Sequence, residues 1–193
     1  DGVRKAEHEY LAMTNEYVTE TNTSKWCRLS RPSFAVGALA RFNNNHQHLH
    51  PSARAVAETI GLQAPSYNPY LFNAAQLVEC VHVVRESIEL IGRILDGQER
   101  EHRVEVRPRA GRGIGAVEAP RGILYHDYTY GEDGRVVKAN CVIPTTQNNA
   151  NIQHDIEALA AEHASLGTTD AELEKLCSML VRAYDPCISC SVH

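Results

Sequence analysis

Two thiols and an imidazole crowd one short stretch, Asp185-Pro186-Cys187-Ile188-Ser189-Cys190-Ser191-Val192-His193. The C-x-x-C spacing of Cys187 and Cys190 lets two thiolates reach one ion, and soft sulfur donors favour zinc, nickel or iron over magnesium or calcium. A thioredoxin-like redox pair is disfavoured, because it needs a following helix whose N-terminus lowers a thiol pKa, and only three residues follow Cys190. The donor set predicts a metal site. Its plainest form is a structural zinc staple of Cys187, Cys190, His193 and one further ligand.

Other residues with chemical potential are isolated. Cys27, Cys80, Cys141 and Cys177 stand singly in apolar sequence, as buried thiols do, and no disulfide is expected. His46, His48 and His50 alternate, which would put three imidazoles on one face of an extended strand. With no cysteine or carboxylate beside them, they read instead as polar groups in a bend. Gly111-x-Gly113-x-Gly115 lacks the spacing of a dinucleotide fingerprint and predicts close approach of its backbone to something else.

The elements that position these groups are mostly helical. The chain has 193 residues, enough for one domain with a real core. Residues 1–100 are expected to be helical, 101–147 to contain the β structure, and 148–193 to be helical with a metal-bearing tail. Helices are predicted near 10–18, over Pro51–Ile60 and from Leu71 to Leu95, the last as a core helix closed by Asp96-Gly97. Asn148-Asn149 is read as the N-cap of a helix over about 150–165. Thr169-x-x-Glu172 is a capping box opening a final helix with Leu173, Leu176, Cys177, Leu180 and Tyr184 on one stripe. Asp185, preceding a proline, ends it. The fold class is therefore mainly α: a helical bundle with a small β-rich hairpin section at about 103–143 and a buried C-terminal tail.

Within the β section, Ile123–Tyr130 and Arg135–Ile143 flank Gly131-Glu-Asp-Gly134, a strong hairpin signal. Counting equal steps from Asp133 sets Arg121 opposite Thr145, so Ala119-Pro120-Arg121 is expected beside Pro144-Thr145-Thr146. An ordinary partner for Arg121 would be Glu118 or Asp127.

Bulk properties exclude other classes. A net charge of −5 and a pI near 6.1, with no long basic run, argue against nucleic acid or an anionic membrane as partner. No apolar run approaches the ~20 residues of a membrane span, and Asp1-Gly-Val-Arg-Lys5 is no secretory signal. The chain reads as cytoplasmic, with protein partners.

Ala183-Tyr184-Asp185-Pro186-Cys187-x-x-Cys190-x-x-His193 resembles the C-terminal motif of the large subunit of [NiFe] hydrogenases, which is trimmed after this histidine on maturation. Ala119-Pro120-Arg121-Gly122 resembles that family's arginine element, and Pro144-Thr145 its cyanide-holding turn. The likeness runs from about residue 30 to the end and is densest over 103–193, with wording nearest the soluble cytoplasmic enzymes. The resemblance implies reversible heterolytic H2 cleavage at a Ni–Fe centre bearing CO and cyanide. Cys187 would be the terminal nickel ligand and proton acceptor, and Cys190 the bridge to iron. Arg121 would act beside the open position, held by Asp185, with Pro120, Pro144 and Thr145 lining the cofactor. His193 and the backbone carbonyl near Cys141 would hold a magnesium or iron ion. The family's first C-x-x-C is absent, so an N-terminal large-subunit half would supply it. Iron–sulfur clusters would sit only in a small-subunit partner, since this chain has no cysteine set for one.

Overall fold

A computed structural model describes residues 2–97 and 105–192. The first residues of the expected β-rich section, 103–104, and the expectation for His193 fall outside the described residues. The fold is mainly helical with two small antiparallel sheets. Helices are α1 (Tyr10–Thr14), α2 (Ala38–Asn45), α3 (Pro51–Thr59), α4 (Phe72–Leu95), α5 (Pro144–Leu166), α6 (Asp170–Ala183) and α7 (Ile188–Ser191). Strands β1 (Tyr17–Thr19) and β2 (Asn22–Trp26) form one hairpin, while β3 (Gly111–Ala119), β4 (Gly122–Tyr130) and β5 (Val136–Val142) form a meander.

Local chemistry sets several boundaries. Pro51 sits in the first turn of α3, whose cap is the His50 ring, accepting from Ser52 N–H at 3.1 Å. His46 and His48 lie in a 3-10 turn rather than on a strand, so the three imidazoles share no strand face. Thr169 and Glu172 form the expected capping box of α6, and Gly167 ends α5 in the left-handed conformation.

Other expectations are corrected. The 1–100 stretch, expected to be helical, contains the β1–β2 hairpin, in which Ser24 is buried and bonded to α5 through Asn149. Helix α4 is only half a core helix. Phe72, Ala75 and Val78 are buried, whereas Val84, Ile88, Ile91 and Leu95 are exposed, as is Cys80. The glycines of β3 approach nothing: a Cβ at Gly111, Gly113 or Gly115 would meet no described atom within 4 Å.

Two apolar clusters carry the fold. The larger joins α2, α3, the first half of α4 and the end of α6 through Leu39, Phe42, Ala53, Phe72, Val78, Leu180 and Tyr184. The smaller sets Tyr10, Cys27 and Val142 under the meander. Here Tyr10 donates to Asp127 at 2.9 Å and receives Asn140 Nδ2 at 2.6 Å, while Arg112 grips the same carboxylate at 2.8 and 2.6 Å.

Candidate metal centre

Helix α5 begins at Pro144, earlier than expected, and its first turns, Pro144 to Ala150, are wholly buried. Asn148 and Asn149 are therefore not caps. Asn148 receives Val36 N–H at 2.8 Å and donates to the Val36 and Arg121 carbonyls at 3.3 and 3.4 Å. Asn149 donates to Ser24 Oγ and the Lys25 carbonyl. Gln147 donates to the Ile123 carbonyl at 2.7 Å. Buried amides need such partners, and here they tie the start of α5 to β2, β4 and the segment before α2.

This places Thr145 against the tail. Its Oγ1 accepts the Cys187 N–H at 3.1 Å, and the residue is 1% exposed. Helix α6 stops at Ala183, and Asp185 adopts a left-handed φ of 50° rather than the extended backbone usual before proline. It directly follows the C-cap of α6, a place where left-handed backbone is common, and Arg121 grips it. The Arg121 Nε–H donates to the Asp185 carbonyl, and its Nη2 lies 3.3 Å from Asp185 Oδ1. Sparsely populated backbone of this kind persists only where its surroundings hold it.

Cys187 then caps the single turn α7, which carries Cys190. Residues three apart on a turn face the same way, and the two sulfurs are joined, with Cα atoms 5.3 Å apart. No disulfide was expected, but the spacing that lets two thiolates share an ion also lets the sulfurs meet. Reduced, the pair offers two soft donors to one ion. The tail is less buried than predicted: Cys187 is half-buried, Cys190 exposed, and of α7 only Ser191 is covered. Among the described residues, α7 packs chiefly against α5 and β2.

The Arg121 turn reaches the tail by a different register from that expected. A bulge between Thr129 and Tyr130 shifts the β4–β5 pairing by one, so His126 faces Cys141 and the ladder ends at Tyr125–Val142. Arg121 itself sits with Pro120 in the two-residue turn between β3 and β4. That turn needs glycine after it: Gly122 has φ 138°, and a Cβ there would lie 2.9 Å from Val36 Cβ. Glu118 and Asp127, the ordinary partners considered for Arg121, are taken by Arg41 and Arg112.

Cys141 lies on β5 with its thiol 3.5 Å from His126 Nδ1 and 3.6 Å from Tyr128 Oη. Cys27 is fully buried, and burial with the nearby Glu16 charge pushes its thiol up to about 12; it is packing, as expected. Burial and the Asp155 carboxylate push the Tyr184 hydroxyl far above its ordinary value. Among the described residues no three His, Cys, Asp or Glu side chains converge on one point, and His193 is not among them. What this chain assembles is thus a pair of sulfurs, a guanidinium locked to Asp185, and a buried threonine beneath Cys187. That set fits half of a four-thiolate nickel site.

Sequence reasoning missed Arg41. It donates to Glu79 at 2.7 Å through both Nε and Nη2, to Glu118 at 2.7 Å, and to the Ala119 and Pro120 carbonyls at 2.8 and 2.9 Å. Nothing in the small apolar stretch Phe34–Phe42 around it signals these distant partners.

Comparisons with known proteins find several relatives of this chain. The family model for nickel-dependent hydrogenases matches residues 7–193. Sulfhydrogenase 1 subunit alpha of Pyrococcus furiosus is 35% identical over 100% of this chain and 44% of its own length. NAD-reducing hydrogenase HoxS subunit beta of Cupriavidus necator is 32% identical over 96% of this chain and 40% of its own. A crystal structure of NAD+-reducing [NiFe]-hydrogenase in the H2-reduced state superposes with a TM-score of 0.80 at 29% identity, covering 96% of this chain and 42% of that one. The chain thus spans less than half the length of these relatives. With the family model spanning nearly the whole described chain, the chain belongs to the nickel-dependent hydrogenase family.

Proposed function

We propose that this chain is the C-terminal part of a hydrogenase catalytic subunit, acting in the reversible heterolytic cleavage of H2 to protons and electrons. The observation that carries the proposal is the contact of Arg121 with Asp185, which brings the arginine turn to the backbone that leads through Pro186 into Cys187. A Ni–Fe centre with CO and cyanide on iron supplies the Lewis acidity and redox capacity that splitting H2 requires.

Reduced to thiolates, Cys187 and Cys190 would provide two of the nickel ligands, Cys190 as the one that would also serve iron. Cys187 Sγ holds the proton released on cleavage. Arg121, fixed by Asp185, keeps a positive charge beside the reacting position and can pass a proton onward. Thr145 Oγ1 already accepts the Cys187 N–H, which leaves its own hydroxyl proton to donate to a cyanide, with Pro144 and Pro120 as apolar walls. His193 and the backbone carbonyl near Cys141 would hold a magnesium or iron ion.

The other two thiolates come from the N-terminal large-subunit half. Helix α4 supports that partner: Val83, Val84, Ile88, Ile91, Ile94 and Leu95 are each more than half exposed, an apolar stretch of the kind interaction surfaces carry. Electrons leave to an iron–sulfur small subunit. Cys27 follows β2, while Cys80, Cys141 and Cys177 lie on α4, β5 and α6, which suits clusters held by that partner. We place the enzyme in the cytoplasm; among the described residues no helix is long and apolar enough to cross a membrane.

The test is H2-dependent reduction of an artificial electron acceptor by the assembled complex, together with its nickel, iron and zinc content. The proposal expects uptake and nickel near one per complex. Zinc alone, with no uptake, would leave a Cys/Cys/His staple.

A further inference from the structure

The two-residue turn carrying Arg121 is held more tightly than a hairpin end needs to be. Turns of this kind are normally the pliable tips of a sheet. Here three successive carbonyls, those of Ala119, Pro120 and Arg121, all accept hydrogen bonds from side chains on distant helices. Arg41 on α2 binds the first two at 2.8 and 2.9 Å, and Asn148 on α5 binds the third at 3.4 Å. Gly37, immediately before α2, lets the chain pass so closely that a Cβ there would lie 2.9 Å from the Arg121 carbonyl oxygen.

Arg41 is the stronger of the two holds. A guanidinium has five N–H donors in a fixed plane, and five bonds leave it: two to Glu79, one to Glu118, and two to the turn. Its side chain is 18% exposed and that of Glu79 20%, so the fork between them is largely screened from water. Glu79 anchors the guanidinium to α4, and α2 and α4 share the larger apolar cluster. The position of the turn is thereby referred to the core rather than to the sheet edge. Lysine could not do this, having three donors radiating from a point rather than five in a plane.

We infer that Arg41 is a positioning residue for Arg121: by gripping the Ala119 and Pro120 carbonyls from the α2–α4 core, it fixes where the Arg121 guanidinium meets the tail. The inference rests on the hydrogenase reading for its effect on turnover, and on the hydrogen bonds alone for its effect on the turn. A displacement of about 1 Å at a reacting group costs on the order of 100-fold in rate, so a loosened turn should slow the reaction without emptying the metal site.

The experiment compares the assembled complex with Arg41→Lys, Arg121→Lys and the double variant. Hydrogen–deuterium exchange of the amides of 119–123 should rise about 10-fold or more in Arg41→Lys as the turn opens more often, with nickel content unchanged. Its kcat for H2 should fall about 10- to 100-fold at constant KM. Added to Arg121→Lys, the same change should cost less than about 2-fold more, because residues acting as a unit are not additive. Parental exchange, parental kcat, or an equal loss in both backgrounds would overturn the inference. Should Arg41→Lys fail to accumulate, Glu118→Gln, which weakens one exposed arm of the clamp, should raise exchange at 119–123 about 3-fold, and parental exchange there would count against it. A parent complex with no H2 uptake would end the hydrogenase reading, and exchange alone would then decide the clamp.

Discussion

Arg121 and Asp185, 64 residues apart in sequence, meet twice: Arg121 Nη2 lies 3.3 Å from Asp185 Oδ1, and Nε donates to the Asp185 carbonyl. The guanidinium therefore fixes both the side chain and the left-handed backbone of the residue that leads into the C-x-x-C turn. Asp185 is at once the orienting partner of the arginine and the hinge of the tail.

Lysine at 121 would keep the charge but lose the planar donors that make both bonds. In the assembled complex, Arg121→Lys is expected to retain nickel and to lose H2 oxidation by about 100-fold or more. Elemental analysis beside a dye-reduction assay reads both. Near-parental turnover by a nickel-replete variant would leave Arg121 as a structural ion-pair residue.

A hydroxyl is a poor ligand for a soft metal at neutral pH. Cys187→Ser and Cys190→Ser are each expected to bring nickel to background and to abolish uptake while the complex still accumulates. Full nickel with activity in either variant would remove the sulfur pair from the site.

Gly122 holds φ 138° with the Val36 side chain packed where a Cβ would go. Gly122→Ala should cost about 2–3 kcal/mol of unfolding free energy from backbone strain and contact together. Gly113→Ala, with no described atom within 4 Å of its Cβ, should change it by less than about 0.5 kcal/mol. Denaturant midpoints decide. Equal effects at the two positions would contradict the account of the turn.

The hydrogen bond from Arg112, followed by that from Tyr10, holds the Asp127 carboxyl below the ordinary carboxylate range. A carboxyl group depressed in the folded state adds stability that is complete above its unfolded value, near pH ~3.9, and lost as pH falls through the folded value. The parent should therefore lose stability below about pH 4, and Asp127→Asn should lose less over the same interval. Parallel pH profiles for the two proteins would show that the cluster of Tyr10, Arg112 and Asp127 contributes nothing to acid stability.

The residues legible in sequence were those whose meaning is local. The C-x-x-C tail, the capping box at Thr169 and the Gly131–Gly134 turn each carry their signal within a few positions. The arginine and threonine elements were singled out by resemblance, and the hairpin count brought their neighbourhoods together although it was off by one. That error comes from the bulge at Thr129–Tyr130, which no pattern announces. Asn148 and Asn149 resembled caps because nothing local shows that their amides bind Val36, Arg121 and Ser24. Arg41 was invisible for the same reason, its carboxylate partners lying 38 and 77 residues away. The exposed half of α4 reads as core because periodicity records that a face is apolar, not which chain covers it.

The most direct measurement of the central claim is the infrared spectrum of the assembled complex, since CO and cyanide on iron absorb where protein does not. The account predicts bands for both ligands in the parent, their loss in Cys190→Ser, and shifted cyanide bands in Thr145→Val, where the donor hydroxyl is gone. A nickel-loaded, H2-oxidising parent without such bands, or bands that persist in Cys190→Ser, would contradict the assignment of Cys187 and Cys190 to a Ni–Fe centre.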